Sequence, residues 1–276
     1  MFLKDKVAVV TGASASVGRE LAREFARQGA RVVCAARREE KLEETVMLIE
    51  EEGGQALAVQ ADVTDRDHVT NLFGATIEAY GQADILFNNA GILDAVGATW
   101  ETDIDAWWRV LEVDLLGTYL CCRAFLPHMI ERDTGVVINM DGGGGTTGSF
   151  PGASAYGSAK AAVVRFTQSL AGELEMIGSK VMAVCLNPGF VRSELSEAGV
   201  DTEYKARWLP KVKRFLETGH GVPPERCAQT TIKLLKALAP ELNGRTFKNG
   251  TDYQAVKDNL QKIKDEDLFT LKYITL

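Results

Sequence analysis

Two residues four apart, Tyr156 and Lys160, can do chemistry together. On a helix they share one face. A tyrosine hydroxyl titrates at about 10 and shuttles protons poorly at neutral pH until a positive charge stabilises its phenolate. A lysine one turn away supplies that charge. The pair suits general acid–base work: a proton given to a carbonyl oxygen, or taken from an alcohol. Just before it runs "NMDGGGGTTGSF", residues 139–150, with four consecutive glycines where a substrate-holding hydroxyl would be sought. Alone, such a pair is more often two residues on a helix face, so its weight depends on the elements that position it.

Those elements alternate. "KVAVVTG" (6–12), "ARVVCAAR" (30–37), "ALAVQADV" (56–63), "ADILFNNAG" (83–91), "GVVINM" (135–140) and "KVMAVCLNPG" (180–189) are short apolar runs that read as strands. Between them lie stretches at helical spacing: 17–28, 39–54, 65–81, one long helical region over about 103–132, and 154–177. Apolar strands each followed by a helix imply an α/β fold with a parallel sheet buried on both faces, doubly wound by right-handed crossovers. Ligands on such sheets bind beyond the C-terminal strand ends. Six loops follow strands: "TGASASVG", "CAARR", "ADV", "NNAG", "NMDGGGG" and "NPGFVRS". All six should face one crevice.

Composition narrows the classes. The 276 residues are 46% hydrophobic and 25% charged, with a net charge of −7. That balance speaks against a nucleic-acid surface, which needs a basic face. The five cysteines, 34, 121, 122, 185 and 227, have no Cys-x-x-Cys spacing, and only three histidines are present, so no metal site is expected. "MFLKDK" runs straight into a strand, and nowhere do about 18 apolar residues run together. The expectation is a soluble, cytoplasmic protein with neither membrane nor nucleic-acid partners.

Four motifs in order, Thr11-Gly12-x5-Gly18, Asn88-Asn89-Ala90-Gly91, Tyr156-x3-Lys160 and Asn187-Pro188-Gly189, resemble the short-chain dehydrogenase/reductase family over about residues 4–250. The resemblance implies a single Rossmann-type domain, a nicotinamide cofactor, and hydride exchange between a small-molecule carbonyl and an alcohol. It also implies a homodimer or homotetramer. Residues 1–250 would be the NADP-binding catalytic domain, with a substrate lid at about 190–222. Residues 251–276 would be a tail on the domain or on a neighbouring subunit. "INMDG" and "LCCRAFLPHM" also resemble the chlorophyll b reductase branch, a hint about subgroup and not about substrate.

The cofactor residues follow. In "TGASASVG", Gly12, Ser14, Ser16, Val17 and Gly18 would bring backbone N–H groups to a pyrophosphate at a helix N-terminus. The family's middle glycine is replaced by Ser16, whose side chain would either crowd the cofactor or bond to it. The second strand ends at Ala36, where an acid would select NAD, and Arg37 and Arg38 come next. Guanidinium groups suit a 2′-phosphate, so NADP(H) is expected. The alternative is solvated charges opening a helix. By resemblance Asp62 and Val63 meet the adenine, although Asp62 equally suits a cap or turn. Asn89, Ala90 and Gly91 line the adenosine half while Asn88 braces the sheet. Pro188, Gly189 and Val191 complete the crevice. Ser193 either holds the carboxamide or caps the next helix.

At the catalytic centre the resemblance makes Tyr156 the proton donor or acceptor and Lys160 the group that holds the ribose and lowers the tyrosine pKa. The family's serine is missing. Counting back from Tyr156 reaches Gly143; counting forward from Asn139 reaches Gly142. Thr146 or Thr147 is the favoured replacement. Asp141, backbone N–H groups, Ser149 and Ser154 are others, and Ser154 is expected to cap or line the pocket. Asp114 stands where the family commonly has asparagine; near Lys160 it would be ionised and offset the lysine's pull, or else be an ordinary helix residue. The lid stretch "YKARWLPKVKRFLETGHG" is basic and aromatic, which suits an acidic or aromatic substrate or an amphipathic helix with a solvated face. Trp107 and Trp108 are expected in packing or an interface. Two rivals remain: a cofactor-binding scaffold or sensor with impaired chemistry, and a family member running epimerisation or dehydration.

Overall fold

The computed structural model describes residues 1–272. Valine- and alanine-rich runs form strands β1 (Val7–Thr11), β2 (Arg31–Ala36), β3 (Gln55–Gln60), β4 (Ile85–Asn88), β5 (Val136–Met140), β6 (Met182–Asn187) and β7 (Thr246–Lys248). They make one parallel sheet in the order β3-β2-β1-β4-β5-β6-β7. The order reverses between β1 and β4, where a crevice opens at the C-terminal strand ends. This is the doubly wound α/β architecture that the apolar runs predict.

Both faces are covered. Ala8, Val10, Val32 and Phe87 point to one side. There they meet α1 (Ser16–Arg27), α2 (Glu39–Glu51) and α10 (Pro224–Ala237) through Leu21, Phe25, Leu42 and Ile232. Val7, Val9, Val33 and Leu86 point to the other. They meet α3 (Arg66–Tyr80), α5 (Gly117–Glu131) and α6 (Ser154–Met176) through Leu72, Phe125 and Leu170. Alternation of adjacent residues between two apolar layers is why the strands are apolar throughout. Helix ends follow local chemistry. Asp65 accepts from the N–H groups of Asp67 and His68 at the start of α3, and Gly81 closes it at φ +73°.

The structure departs from the sequence reading in two places. The region 103–132 is not one helix. It is α4 (Ile104–Leu111), a five-residue π turn (Glu112–Leu116) and α5. A π turn holds one extra residue, and here it carries Asp114. The second departure is β7 with α10, an additional strand and helix beyond those read from periodicity. The tail takes the first of its two expected places. Helices α11 (Tyr253–Asp258) and α12 (Leu260–Asp265) lie on this chain's own core, with Tyr253, Val256 and Ile263 buried. Between β6 and α10, the segment over the crevice forms α7 (Glu194–Ala198), α8 (Glu203–Trp208) and α9 (Pro210–Thr218). A lone bridge between Val191 and Val222 ties its two ends. No helix among the described residues is long and apolar enough to cross a membrane.

Candidate active site

The crevice begins at the turn between β1 and α1. Gly12 has φ +66°, and a Cβ on Gly18 would lie 2.1 Å from the Gly12 carbonyl oxygen, so only glycine fits there. Asn89 pins the turn: its Nδ2 donates to the carbonyls of Thr11 (3.0 Å) and Gly12 (3.3 Å). Thr11 Oγ1 in turn accepts from the N–H groups of Asn89 and Ala90. Ser16 sits at φ +46°, which explains why glycine suits this place, and its buried hydroxyl has no partner among the described residues. Asn88 does brace the sheet, donating to Asn139 Oδ1 at 2.8 Å.

This half of the crevice holds about 410 Å³ and is lined by Gly12, Ser14, Ser16, Val17, Gly18, Arg37, Arg38, Asp62, Val63, Asn89, Ala90, Gly91 and Ser193. The two arginines differ. Arg37 is exposed and makes no ion pair among the described residues. Arg38 is also exposed but is engaged: Nη2 donates to Ser14 Oγ at 3.3 Å, and Nη1 pairs with Glu194 at 2.6 Å. Asp62 is held by Thr64 and by Arg109 Nη2 at 3.1 Å. Burial acts to raise its carboxyl, but the Thr64 donors and Arg109 outweigh it and the net shift is downward. Glu194 and Arg109 carry no local signature in the sequence and were not anticipated.

The second half, about 380 Å³, contains Tyr156, Lys160, Asp141, Gly142, Gly143, Thr147, Pro188, Gly189 and Val191, with Phe150, Phe190, Lys211 and Phe215 on the far wall. Val17, Asn89, Gly91, Leu93, Ser193 and Leu195 line both halves, so the crevice is continuous. Ser193 caps α7 by accepting from Ser196 N–H at 3.2 Å, so capping and lining coexist.

Lys160 is buried beneath Tyr156, its Nζ 5.4 Å from the ring centre. Nζ donates to Met140 O at 3.3 Å and lies 3.0 Å from Asp114 Oδ2, a charge contact and not a well-aligned hydrogen bond. Asp114 Oδ1 accepts from Ile92 N–H at 2.8 Å. Gly91 makes room for this carboxylate, since a Cβ there would lie 3.1 Å from Oδ2. Burial raises the Asp114 carboxyl and Lys160 opposes it. For Lys160, burial acts downward, but Asp114 and Tyr156 more than compensate and hold it charged. Burial pushes Tyr156 up to about 12; Lys160 pulls it down, while Asp114 and Asp141 add to the rise.

The two glycines that stand for the missing serine differ in direction. A Cβ on Gly142 would lie 2.4 Å from Tyr156 Oη, whereas one on Gly143 would meet the Phe150 ring. Tyr156 therefore leans into space that a side chain at 142 would hold. The two threonines part company. Thr146 Oγ1 donates to buried Asp141 at 2.6 Å and lies outside the crevice lining, which removes it as a substrate-facing hydroxyl. Thr147 lines the crevice and accepts from Gly144 N–H. Ser154 neither caps α6 nor lines the crevice; its hydroxyl accepts from Trp107 Nε1 at 3.1 Å.

Many known proteins are similar to this chain. Residues 6–203 match the family model for short chain dehydrogenases. A short chain dehydrogenase of Pseudocercospora fijiensis is 36% identical over 268 residues, covering 94% of this chain and 85% of that one. Two solved structures superpose closely. A short chain dehydrogenase/reductase from Burkholderia phymatum in complex with NAD has a TM-score of 0.80 at 25% identity over the full length of both chains. A metagenomic short-chain oxidoreductase in complex with NADP has a TM-score of 0.69 at 30% identity, covering 87% of this chain and 94% of that one. The chain belongs to the short-chain dehydrogenase/reductase family.

Proposed function

We propose that the chain is an NADPH-dependent oxidoreductase that interconverts a carbonyl and an alcohol, with Tyr156 moving the proton. The observation that carries this reading is the continuity of the crevice, with an acid–base pair at one end and two arginines at the other. The cradle fits the cofactor. Gly12 and Gly18 leave room for close approach, and the unpartnered Ser16 hydroxyl is free to bond to a pyrophosphate oxygen. Ser14 and Arg38 suit a 2′-phosphate. When bound, the cofactor supplies the hydride.

Each side chain then has a task. Tyr156, at about 12, is a neutral phenol at pH 7 and rests in the state that donates to a carbonyl oxygen. Lys160 stabilises the phenolate left behind. Phe150, Phe190 and Phe215 form an apolar wall, the last two stacked at 4.6 Å, and exclude water from the reacting carbon. They suit an apolar or aromatic carbonyl compound. Two of the five lysines and arginines of the lid stretch pair with acids, Lys205 with Asp201 and Lys213 with Glu217, and Lys211 lines the crevice. Thr147 is the candidate hydroxyl for the substrate oxygen.

Tyr156→Phe tests the reading. Turnover of a panel of aromatic and aliphatic ketones with NADPH should fall by about 10²–10⁴. NADPH binding, followed by its fluorescence, should stay within about twofold, the ring being kept. Unchanged turnover would refute Tyr156 as the proton donor. Cofactor binding without turnover in the parent protein would favour the scaffold instead.

A further inference from the structure

Glu194 stands at the start of α7, on the segment that covers the crevice, yet it reaches the far side of the adenosine end. Its two carboxylate oxygens are divided between two cations. Oε2 meets Arg38 Nη1 at 2.6 Å, and Oε1 meets Lys41 Nζ at 2.8 Å. Arg38 Nη2 is also within 3.3 Å of Ser14 Oγ. An anion is thus already held by the guanidinium expected to take the cofactor's phosphate. Lys41 and Arg38 hold the Glu194 carboxyl below its ordinary range, so it is ionised at neutral pH.

We propose that Glu194 is a built-in competitor for the 2′-phosphate of NADPH and thereby sets the preference between NADPH and NADH. The inference rests on the NADPH reading above and adds two residues to it, Glu194 as rival and Lys41 as second cation. The chemistry is an exchange of anions. A phosphate with about 1.5–2 negative charges and three acceptor oxygens satisfies Arg38 and Lys41 better than one carboxylate does. To reach them it must displace Glu194, lose the two ion pairs that tie α7 to the N-cap and first turn of α2, and meet a like charge nearby. NADH has only hydroxyls at that ribose and leaves the clasp whole. Glu194 therefore penalises NADPH selectively.

The test is equilibrium binding by cofactor fluorescence, with the full chain, for the parent, Glu194→Gln and Arg38→Ser. Glu194→Gln keeps size and removes charge at a half-exposed position. Its NADPH Kd should drop about tenfold, the scale of two partly exposed ion pairs, while the NADH Kd moves less than about twofold. Arg38→Ser should weaken NADPH at least about tenfold and leave NADH alone. If Arg38→Ser weakens NADPH while Glu194→Gln changes nothing, the phosphate reading stands and the competition is overturned. If Glu194→Gln shifts both cofactors by one factor, the residue acts on the covering segment and not on the phosphate, which also overturns it. If Arg38→Ser leaves NADPH untouched, the phosphate reading itself fails and the competition falls with it.

Discussion

Replacing Asp114 by asparagine isolates one charge beneath the acid–base pair. Asparagine keeps an oxygen for Ile92 N–H and loses the negative charge 3.0 Å from Lys160 Nζ. Asp114 raises Tyr156, so its removal should lower the tyrosine pKa from about 12. Lys160 Nζ is 5.4 Å from the ring centre and 3.0 Å from the carboxylate, which bounds the separation of ring and carboxylate. At roughly 8 Å and an effective dielectric constant of about 20, a unit charge contributes about 2 kcal/mol, or about 1.5 pKa units. Part of this is offset, because Lys160 also loses a partner that holds it charged. A net shift of about one unit is expected. The assay is kcat/KM for ketone reduction with NADPH across about pH 8–12, reading the limb where activity falls as the phenol loses its proton. That limb should lie at lower pH in Asp114→Asn. Coincident curves, with cofactor Kd unchanged, would refute the electrostatic role. A limb moved to higher pH would refute its sign.

Two stability measurements bear on other features. Ser16→Gly relieves a left-handed backbone at φ +46° and removes a buried, unpartnered hydroxyl. Without cofactor it should raise stability by about 1 kcal/mol, or about 2 °C in thermal midpoint, and a fall in midpoint would contradict this account. Ile263→Ala empties a fully packed site under the C-terminal helices and should cost about 2–5 kcal/mol in a single denaturant transition. A loss below about 1 kcal/mol would mean that the tail lies outside the cooperative core.

How much of this the sequence discloses depends on the range of the interaction. The six longer strands are apolar on both faces, so they appear as unbroken runs, and the loops that follow them converge as the parallel topology requires. The three-residue β7, "TFK", is too short for a period and is recognisable only through its pairing with β6. The π turn is equally silent, because one extra residue merely slips the helical phase. Gly142 and Gly143 look alike on paper; their Cα–Cβ directions separate them. The partnership of Arg38 and Glu194 spans 156 positions, and no local pattern encodes it. Asp114 is intermediate: its type stands out in the motif, but its distance from Lys160 comes from the packing of the π turn against α6.

That π turn also decides where the helix can change length. An α-helix advances about 100° per residue, and the π turn takes up one extra residue within a single widened turn, so deleting one residue from Glu112–Leu116 would restore regular winding and leave α5 close to its present phase. Cys121, Cys122, Phe125 and Met129 would keep their places against the sheet, while the carboxylate beside Lys160 would be carried off with the lost bulge. The extra residue thus divides two duties along one helix: the face of α5 that builds the core does not need it, and the charge beside the crevice does.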